Sequence, residues 1–457
     1  METKQKTDYG TLAIITTLFF MWGFLTCMND ILIPYLKGIF ELSHLESMLV
    51  QLAFFGAYFI GSLIYFILSS RVGDPINRIG YKNGITIGLV LAAIGTALFY
   101  PAAELVSYPF FLTALFILGL GFTLLQITAN PYAAILGSPE TASGRLNLSQ
   151  GFNSLGTTIA PIIGSFLIFT YFSDKNGADA VKIPYLIFSL LFLLLAIFIR
   201  TSKLPEFKND DETINGFGIF KYPHLLLGML GIFLYVGAEV SIGSIMITFL
   251  GLPEIAGLSH KDAGQFVAFY WGGLMIGRFS GAISLSNISK YKQILALILI
   301  PVVAFLVVLY SKGLSIAGFF AIFLLLNSLM FRCGKSLPAR TLSIFAVSAA
   351  VLVCISMLTN GQVSMWTLIA TGLFNSIMWS NIFTLSIDGL GKYTSQGSSL
   401  LIMAILGGAL LPLLLGWFAD IFGVHYCFWG PLAAYLYIAY YGIKGYKYKK
   451  IESVTNE

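Results

Sequence analysis

The chain has 457 residues, of which 57% are hydrophobic and only 10% charged, against about 25% charged in an ordinary soluble domain. With a mean hydropathy of +0.85, this excludes a soluble globular domain and reads as an all-α membrane protein that crosses the bilayer many times. The formal net charge of +5 is small for the length and leaves no basic footprint for nucleic acid.

Fourteen apolar runs are long enough to cross a hydrocarbon core of about 30 Å as helices. The first, over 11–36, carries Asp30 in the middle of the stretch from Phe19 to Pro34. An ionised carboxylate there costs several kcal/mol unless something offsets it, so Asp30 reads as a functional group; the competing reading is a structural acid paired to a basic group or a helix terminus. Trp22, Thr26, Asn29 and Asp30 recur at spacings that put them on one helix face. Runs at 47–69, 84–104 and 108–136 come next. The last of these holds Gln126 and Asn130 one turn apart, ahead of Pro131, which removes a backbone donor and favours a kink. The run at 147–172 spaces Gln150, Asn153 and Thr157 three and four residues apart, and 183–200 completes a set of six. The polar stretch from Thr201 to Phe217 then reads as a cytoplasmic linker, so that 1–200 is one bundle, 201–222 the linker and 223–457 a second bundle.

The second set opens at 223–250 with Tyr235 and Glu239 on one face, Glu239 matching the place of Asp30 in the first. It continues through 263–284, 293–311, 315–331, 342–358, 364–387, 397–418 and 424–443, with Asn375 and Trp379 one turn apart in 364–387. On this map 21 of the 26 Lys and Arg residues fall on one side, and only Lys37, Lys175, Lys182, Lys261 and Lys312 on the other. The positive-inside rule therefore puts both termini in the cytoplasm of a cell whose inner membrane holds the chain. The polar start from Met1 to Asp8 lacks the pattern of a cleaved leader. Cys27, Cys333, Cys354 and Cys427 show no metal-ligand spacing, so no disulfide, metal or other cofactor is expected. His44, His224, His260 and His425 sit at run ends or in loops without nucleophile or metal partners. No catalytic constellation results, and an enzyme is not expected.

A weak internal repeat runs through the chain. Leu42 to Leu45 and Phe55 to Gly61 recur as Leu258 to Lys261 and Trp271 to Gly277, at a constant offset of 216, while Gly156 and Pro161 recur as Gly407 and Pro412 at an offset of 251. The offset grows because Gly61 to Phe122 is 61 residues but Gly277 to Phe374 is 97. The 36 extra residues fit a helical hairpin, assigned to about 293–331; the alternative makes those spans part of the core and 342–358 part of the extra piece. Two parallel six-helix bundles, with a transmembrane hairpin inserted in the second, is a plan used by secondary transporters that bind substrate near the midplane between the halves.

Several longer runs carry a family resemblance: Asn29-Asp-Ile-Leu-Ile-Pro34, Leu125-Gln-Ile-Thr-Ala-Asn-Pro-Tyr132, Arg145-Leu-Asn-Leu-Ser-Gln-Gly-Phe-Asn-Ser154, Tyr235-Val-Gly-Ala-Glu239 and Gly277-Arg-Phe-Ser-Gly281. With Gly372 to Met378, Asn381 to Leu385 and Thr394 to Ser398, they make the chain resemble the major facilitator superfamily. Within it, the resemblance is to the fucose permease and glucose/galactose transporter family of sugar:cation symporters, and closer to the glucose/galactose branch. The resemblance implies a secondary active importer of glucose or galactose, driven by a proton or sodium ion through alternating access, in contact with lipid and with no obligate protein partner evident. Fucose permease-like members carry a glutamate where this chain has Gln126, an amide that bonds a sugar but cannot titrate.

Under that implication Asp30 and Glu239 are the candidate cation-coupling groups. Asn29, Gln126, Asn130, Gln150 and Asn153 are candidate sugar contacts from the first half, and Tyr235, Asn375 and Trp379 from the second, where rings cover the apolar face of a pyranose and amides take its hydroxyls. The competing reading of each amide is hydrogen bonding between helices. Arg278, near the inner end of its span, and Asp74 and Arg78, in what looks like a degenerate superfamily loop between the second and third helices, are candidate conformational gates. Fucose or N-acetylglucosamine transport, a sugar uniporter, and a membrane sensor that binds sugar without moving it are the alternatives.

Overall fold

The computed structural model describes residues 7–42, 44–166, 179, 181–205 and 218–448. Fourteen helices in chain order account for its spans: α1 (Tyr9–Phe40), α2 (His44–Val72), α3 (Tyr81–Ala97, prolonged by Phe99–Glu104), α4 (Tyr108–Ile135), α5 (Ala142–Phe166), α6 (Lys182–Thr201), α7 (Pro223–Leu250), α8 (His260–Ser284), α9 (Lys290–Lys312), α10 (Leu314–Gly334), α11 (Pro338–Leu358), α12 (Gly361–Asn375 and Met378–Ile387), α13 (Thr394–Met403 and Gly407–Phe422) and α14 (Trp429–Tyr440). Among the described residues, twelve helices are long and apolar enough to cross a membrane. The two remaining expected spans are α5, made polar by Arg145, Asn147, Gln150 and Asn153, and α14, whose 12 residues give way to a π-helical turn at Tyr441–Gly445. The part of the expected linker from 206 to 217 and the end of the run 147–172 beyond Phe166 lie outside the described residues.

The helices pack in the same pattern twice. In the first half α1 lies along α5, α2 on α4, and α3 on α4 and α6; in the second, α7 lies along α13, α8 on α12, and α11 on α12 and α14. By this correspondence α11 is the third helix of the second bundle and α9 with α10 is the inserted hairpin. Burial agrees: 17% and 28% of the apolar windows of α9 and α10 are buried, against 94% of the window in Gly361–Ile387. The outer faces of α6 and α9 show leucines, isoleucines and valines such as Leu190, Leu194, Val303 and Val307, as surfaces against hydrocarbon require.

The repeated Gly156 and Gly407 explain why both halves close alike. A Cβ on Gly156 would sit 2.3 Å from Phe20 O of α1, and one on Gly407 2.0 Å from Phe233 O of α7. Each glycine therefore lets one backbone approach another, the role that small residues fill where membrane helices cross. Gly156→Ala and Gly407→Ala are each expected to lower stability by about 1–3 kcal/mol through overpacking, read as a drop in thermal melting in detergent. A melt unchanged in both would mean that neither crossing depends on its glycine.

Two of the core helices are broken, which periodicity did not reveal. Helix α12 stops at Asn375 and restarts at Met378. Side chains take the carbonyls around the break: Ser376 Oγ (2.7 Å) and Asn327 Nδ2 (3.1 Å) both donate to Leu373 O, and Arg278 Nε donates to Ser376 O at 3.3 Å. Helix α13 tightens into a 3-10 turn at Ala404–Leu406, next to the crossing at Gly407.

The halves meet through α5 on α8 and α2 on α13. By the alternation of helix directions, the start of α5, the ends of α2 and α12 and the start of α13 share the face on which residue 8 lies. There the two halves are joined by uncharged groups. Asn147 Nδ2 donates to Asn381 Oδ1 at 3.2 Å, Gln396 Nε2 to Ser70 Oγ at 2.7 Å and Asn77 Nδ2 to Lys392 O at 3.5 Å; the hydroxyls of Ser143 and Thr384 also bond. A Cβ at Gly144 would fall 2.6 Å from Leu285 O, so the backbones themselves touch. The protein is closed on the face on which residue 8 lies.

Candidate functional site

Helices α1, α2, α4 and α5 assemble the first-half cluster. The Tyr58 hydroxyl of α2 lies among Trp22 and Thr26 of α1 and Gln126 of α4. Gln126 is 3% and Tyr58 3% exposed, so both are shut off from bulk water in this closed arrangement. Tyr58 did not stand out in the sequence, because an aromatic at helical spacing normally signals packing; only the neighbours brought to it by the fold make it polar. Asn29 and Asp30 lie in α1, but their side chains fall outside the described residues.

Not all the first-half amides are equally free. Asn153 Nδ2 donates to Phe19 O at 3.1 Å, tying α5 to α1 where Gly23 admits the Asn153 backbone. Asn130 is fully buried, its Nδ2 bonded to Gln126 O at 3.0 Å while its Oδ1 has no hydrogen-bond partner among the described residues. Asn130 thus keeps one free acceptor. Gln150 is buried on the same helix as Asn153.

The second-half cluster centres on Glu239 of α7. Tyr270 Oη donates to Glu239 O at 2.8 Å, and Asn375 Nδ2 donates to Tyr270 Oη at 3.0 Å. Tyr235 Oη, Tyr435 Oη and Asn375 Oδ1 are buried without hydrogen-bond partners among the described residues. Buried polar atoms are seldom left so. Tyr435, from α14, was not singled out in the sequence; it faces Asn375 and Glu239 only once α14 folds back on α7. Trp379 stacks at 5.0 Å on Phe383, 13° from parallel, so one face of its ring is already covered.

Arg278 belongs to this cluster rather than to the inner rim where its sequence position put it. Its Nη2 lies 3.8 Å from Glu239 Oε1, and its Nη1 donates to Ser154 Oγ of α5. The long side chain reaches from the last third of α8 to Glu239 of α7, which position along a helix alone does not disclose. Arg145, counted in the sequence only as an inside positive charge, is 4% exposed and closes the end of α4. Its Nε donates to Ala133 O at 3.1 Å and its Nη2 to Ser138 O at 2.9 Å, a cation at a helix C-terminus.

In the loop after α2, Asp74 caps the short helix Pro75–Ile79: its Oδ1 accepts from Ile76 N at 2.9 Å and from the Tyr65 hydroxyl, while its Oδ2 is buried without a hydrogen-bond partner among the described residues. Arg78 turns away and donates to Val72 O. Burial away from water holds the Asp74 carboxyl above its ordinary 3.8, against the opposing pull of these hydrogen bonds. A carboxyl raised on folding contributes stability that is fully present below its unfolded pKa and is lost as pH rises through its folded one. Asp74→Asn, neutral at every pH, is therefore expected to gain in thermal melting relative to the wild type as pH rises from about 4 to 8. A constant difference across that range would mean that Asp74 is compensated in the closed state.

Among the described residues there is no group of three or more His, Cys, Asp or Glu placed to hold a metal ion. The chain matches the family model described as Major Facilitator Superfamily over residues 12–337. It is 45% identical over 453 residues to the glucose/galactose transporter of Brucella abortus biovar 1 (strain 9-941), covering 98% of this chain and 97% of that one. The L-fucose-proton symporter of Escherichia coli (strain K12) is 30% identical over 90% of this chain and 87% of its own length. In three dimensions the chain is similar to the crystal structure of FucP, a major facilitator superfamily transporter in the outward conformation, with a TM-score of 0.75 and 28% identity over 94% of this chain and 97% of that one. This multi-pass membrane protein belongs to the major facilitator superfamily, in the branch of the glucose/galactose transporters and L-fucose-proton symporters.

Proposed function

We propose that the protein imports a hexose, glucose or galactose, by symport with a cation. The observation that carries this most is the 45% identity, over nearly its full length, to a relative described as a glucose/galactose transporter. The cation is read as a proton, since relatives at 30% identity are described as L-fucose-proton symporters. Residues 1–200 form one moving bundle and 223–457 the other, joined by the 201–222 linker, in an inner membrane with both termini in the cytoplasm. The closed face is then the cytoplasmic one. Sugar and cation enter from the opposite side, Asp30 and Glu239 exchange the cation, and the amides Gln126, Gln150 and Asn153 take sugar hydroxyls. Catalysis in this reading is conformational, with no bond made or broken.

The test is uptake of radiolabelled glucose by proteoliposomes under an imposed proton gradient or, separately, a sodium gradient, with galactose, fucose and N-acetylglucosamine as competitors. Concentrative uptake driven by protons and competed by galactose is expected. Accumulation driven only by sodium would replace the ion, equilibration without accumulation would make the protein a uniporter, and saturable binding without uptake would make it a sensor.

A further inference from the structure

Arg278 makes its hydrogen bonds to neutral oxygens and leaves its charge to a carboxylate it does not touch. A guanidinium offers five donors in a rigid fork. Here Nη1 bonds Ser154 Oγ across the boundary between the halves, Nε bonds Ser376 O at the break of α12, and Nη2 stands 3.8 Å from Glu239 Oε1, beyond hydrogen-bond distance. The titratable and charged groups facing Glu239 among the described residues are Arg278 and Tyr270 from α8, Tyr235 from α7 itself and Tyr435 from α14. Arg278 is the one cation among them. Neutralising Glu239 would thus break none of the hydrogen bonds of Arg278; it would leave a largely buried guanidinium uncompensated, with Ser154 as its contact to the other half.

We propose that Arg278 is the positioning residue that carries the charge state of Glu239 to α5, through Ser154, and so links the second-half carboxylate to the helix that presents Gln150 and Asn153. The connection is short and stiff. Ser154 adjoins Asn153, whose amide holds Phe19 O of α1, and one turn earlier a Cβ at Gly151 would lie 2.9 Å from the Phe279 ring beside Arg278. A guanidinium that loses its counter-charge seeks more water than the 12% exposure of the Arg278 side chain gives it, and parting of α5 and α8 would supply that water. Glu239 in its charged form therefore holds this crossing shut, and its neutral form loosens it. The inference rests on the reading of Glu239 as a cation-exchanging group.

The experiment is a double-mutant cycle on the full chain in lipid nanodiscs, read by backbone hydrogen exchange of peptides covering α5, with E239Q, S154A and the double variant. E239Q is expected to speed exchange around Asn153 by about fivefold or more, and to change it by less than about twofold when S154A is already present. R278K keeps the charge but lacks the fork, and is expected to blunt the E239Q effect as S154A does. If E239Q does not fold, the wild type compared at pH 5 and 8, corrected for intrinsic exchange, gives the same reading: α5 loosens at low pH, and S154A removes that dependence. A purely structural Arg278 would leave the pH profile of gradient-driven uptake unmoved in S154A, whereas coupling flattens it. Equal effects of E239Q with and without Ser154, or equal pH responses of wild type and S154A, overturn the proposal. Absence of hexose uptake by the wild type would instead defeat the transport reading and leave the exchange cycle to be judged on its own.

Discussion

Asp30→Asn is expected to bring the hexose accumulation ratio of proteoliposomes under a proton gradient down to one, while exchange of labelled for unlabelled sugar continues. Active transport needs a group that changes charge between the two faces, and a carboxyl within an apolar helix does so because its ionised form is costly there without a partner. Among the described residues the first-half cluster of Trp22, Thr26, Tyr58 and Gln126 offers hydroxyl, indole and amide groups and no carboxylate. Asn keeps the size and the hydrogen bonds and removes the titration. Coupling is a reciprocal free energy between cation and sugar, typically about 1–3 kcal/mol, so the variant should also lose the effect of pH on sugar affinity. Undiminished accumulation by Asp30→Asn would shift the coupling role to Glu239 alone.

The features legible in the sequence were those that repeat or cost energy locally. An apolar run long enough to span has few alternatives to a helix, and the change of offset between matched glycines located the inserted pair because a hairpin adds residues without altering the direction of the later helices. Gly156 and Gly407 were visible as a repeat, although their reason, contact with Phe20 O and Phe233 O, lies in partner helices far away in the chain. The break after Asn375 was hidden, since nothing in Gly372 to Met378 forbids a helix; it depends on Asn327 and Arg278 arriving to take the carbonyls. The reach of Arg278 and the burial of Arg145 were hidden for a related reason. Charge counts see where a residue leaves the backbone, not where a long side chain ends.

Gln126→Ala is expected to raise the half-saturating sugar concentration by about 10- to 100-fold, with a smaller change in the maximal rate. A site built to bond a hydroxyl rejects partners that leave its polar groups unpaired, and an unmade buried hydrogen bond costs about 1–3 kcal/mol, where 1.4 kcal/mol is a factor of ten. In the closed arrangement the Tyr58 hydroxyl is a neighbour of Gln126, so truncation takes one partner from Tyr58, leaving Trp22 and Thr26, as well as from the sugar. The contrast is Gln126→Glu, which restores hydrogen bonding in either protonation state and adds a titrating group beside Tyr58. It should recover affinity at low pH, where the acid can donate, and lose it as pH rises and an uncompensated carboxylate forms between α2 and α4. Should Gln126→Ala leave uptake unaltered while lowering thermal stability, Gln126 binds helices together rather than sugar, and hydroxyl recognition must rest on Gln150 and Asn153 of α5.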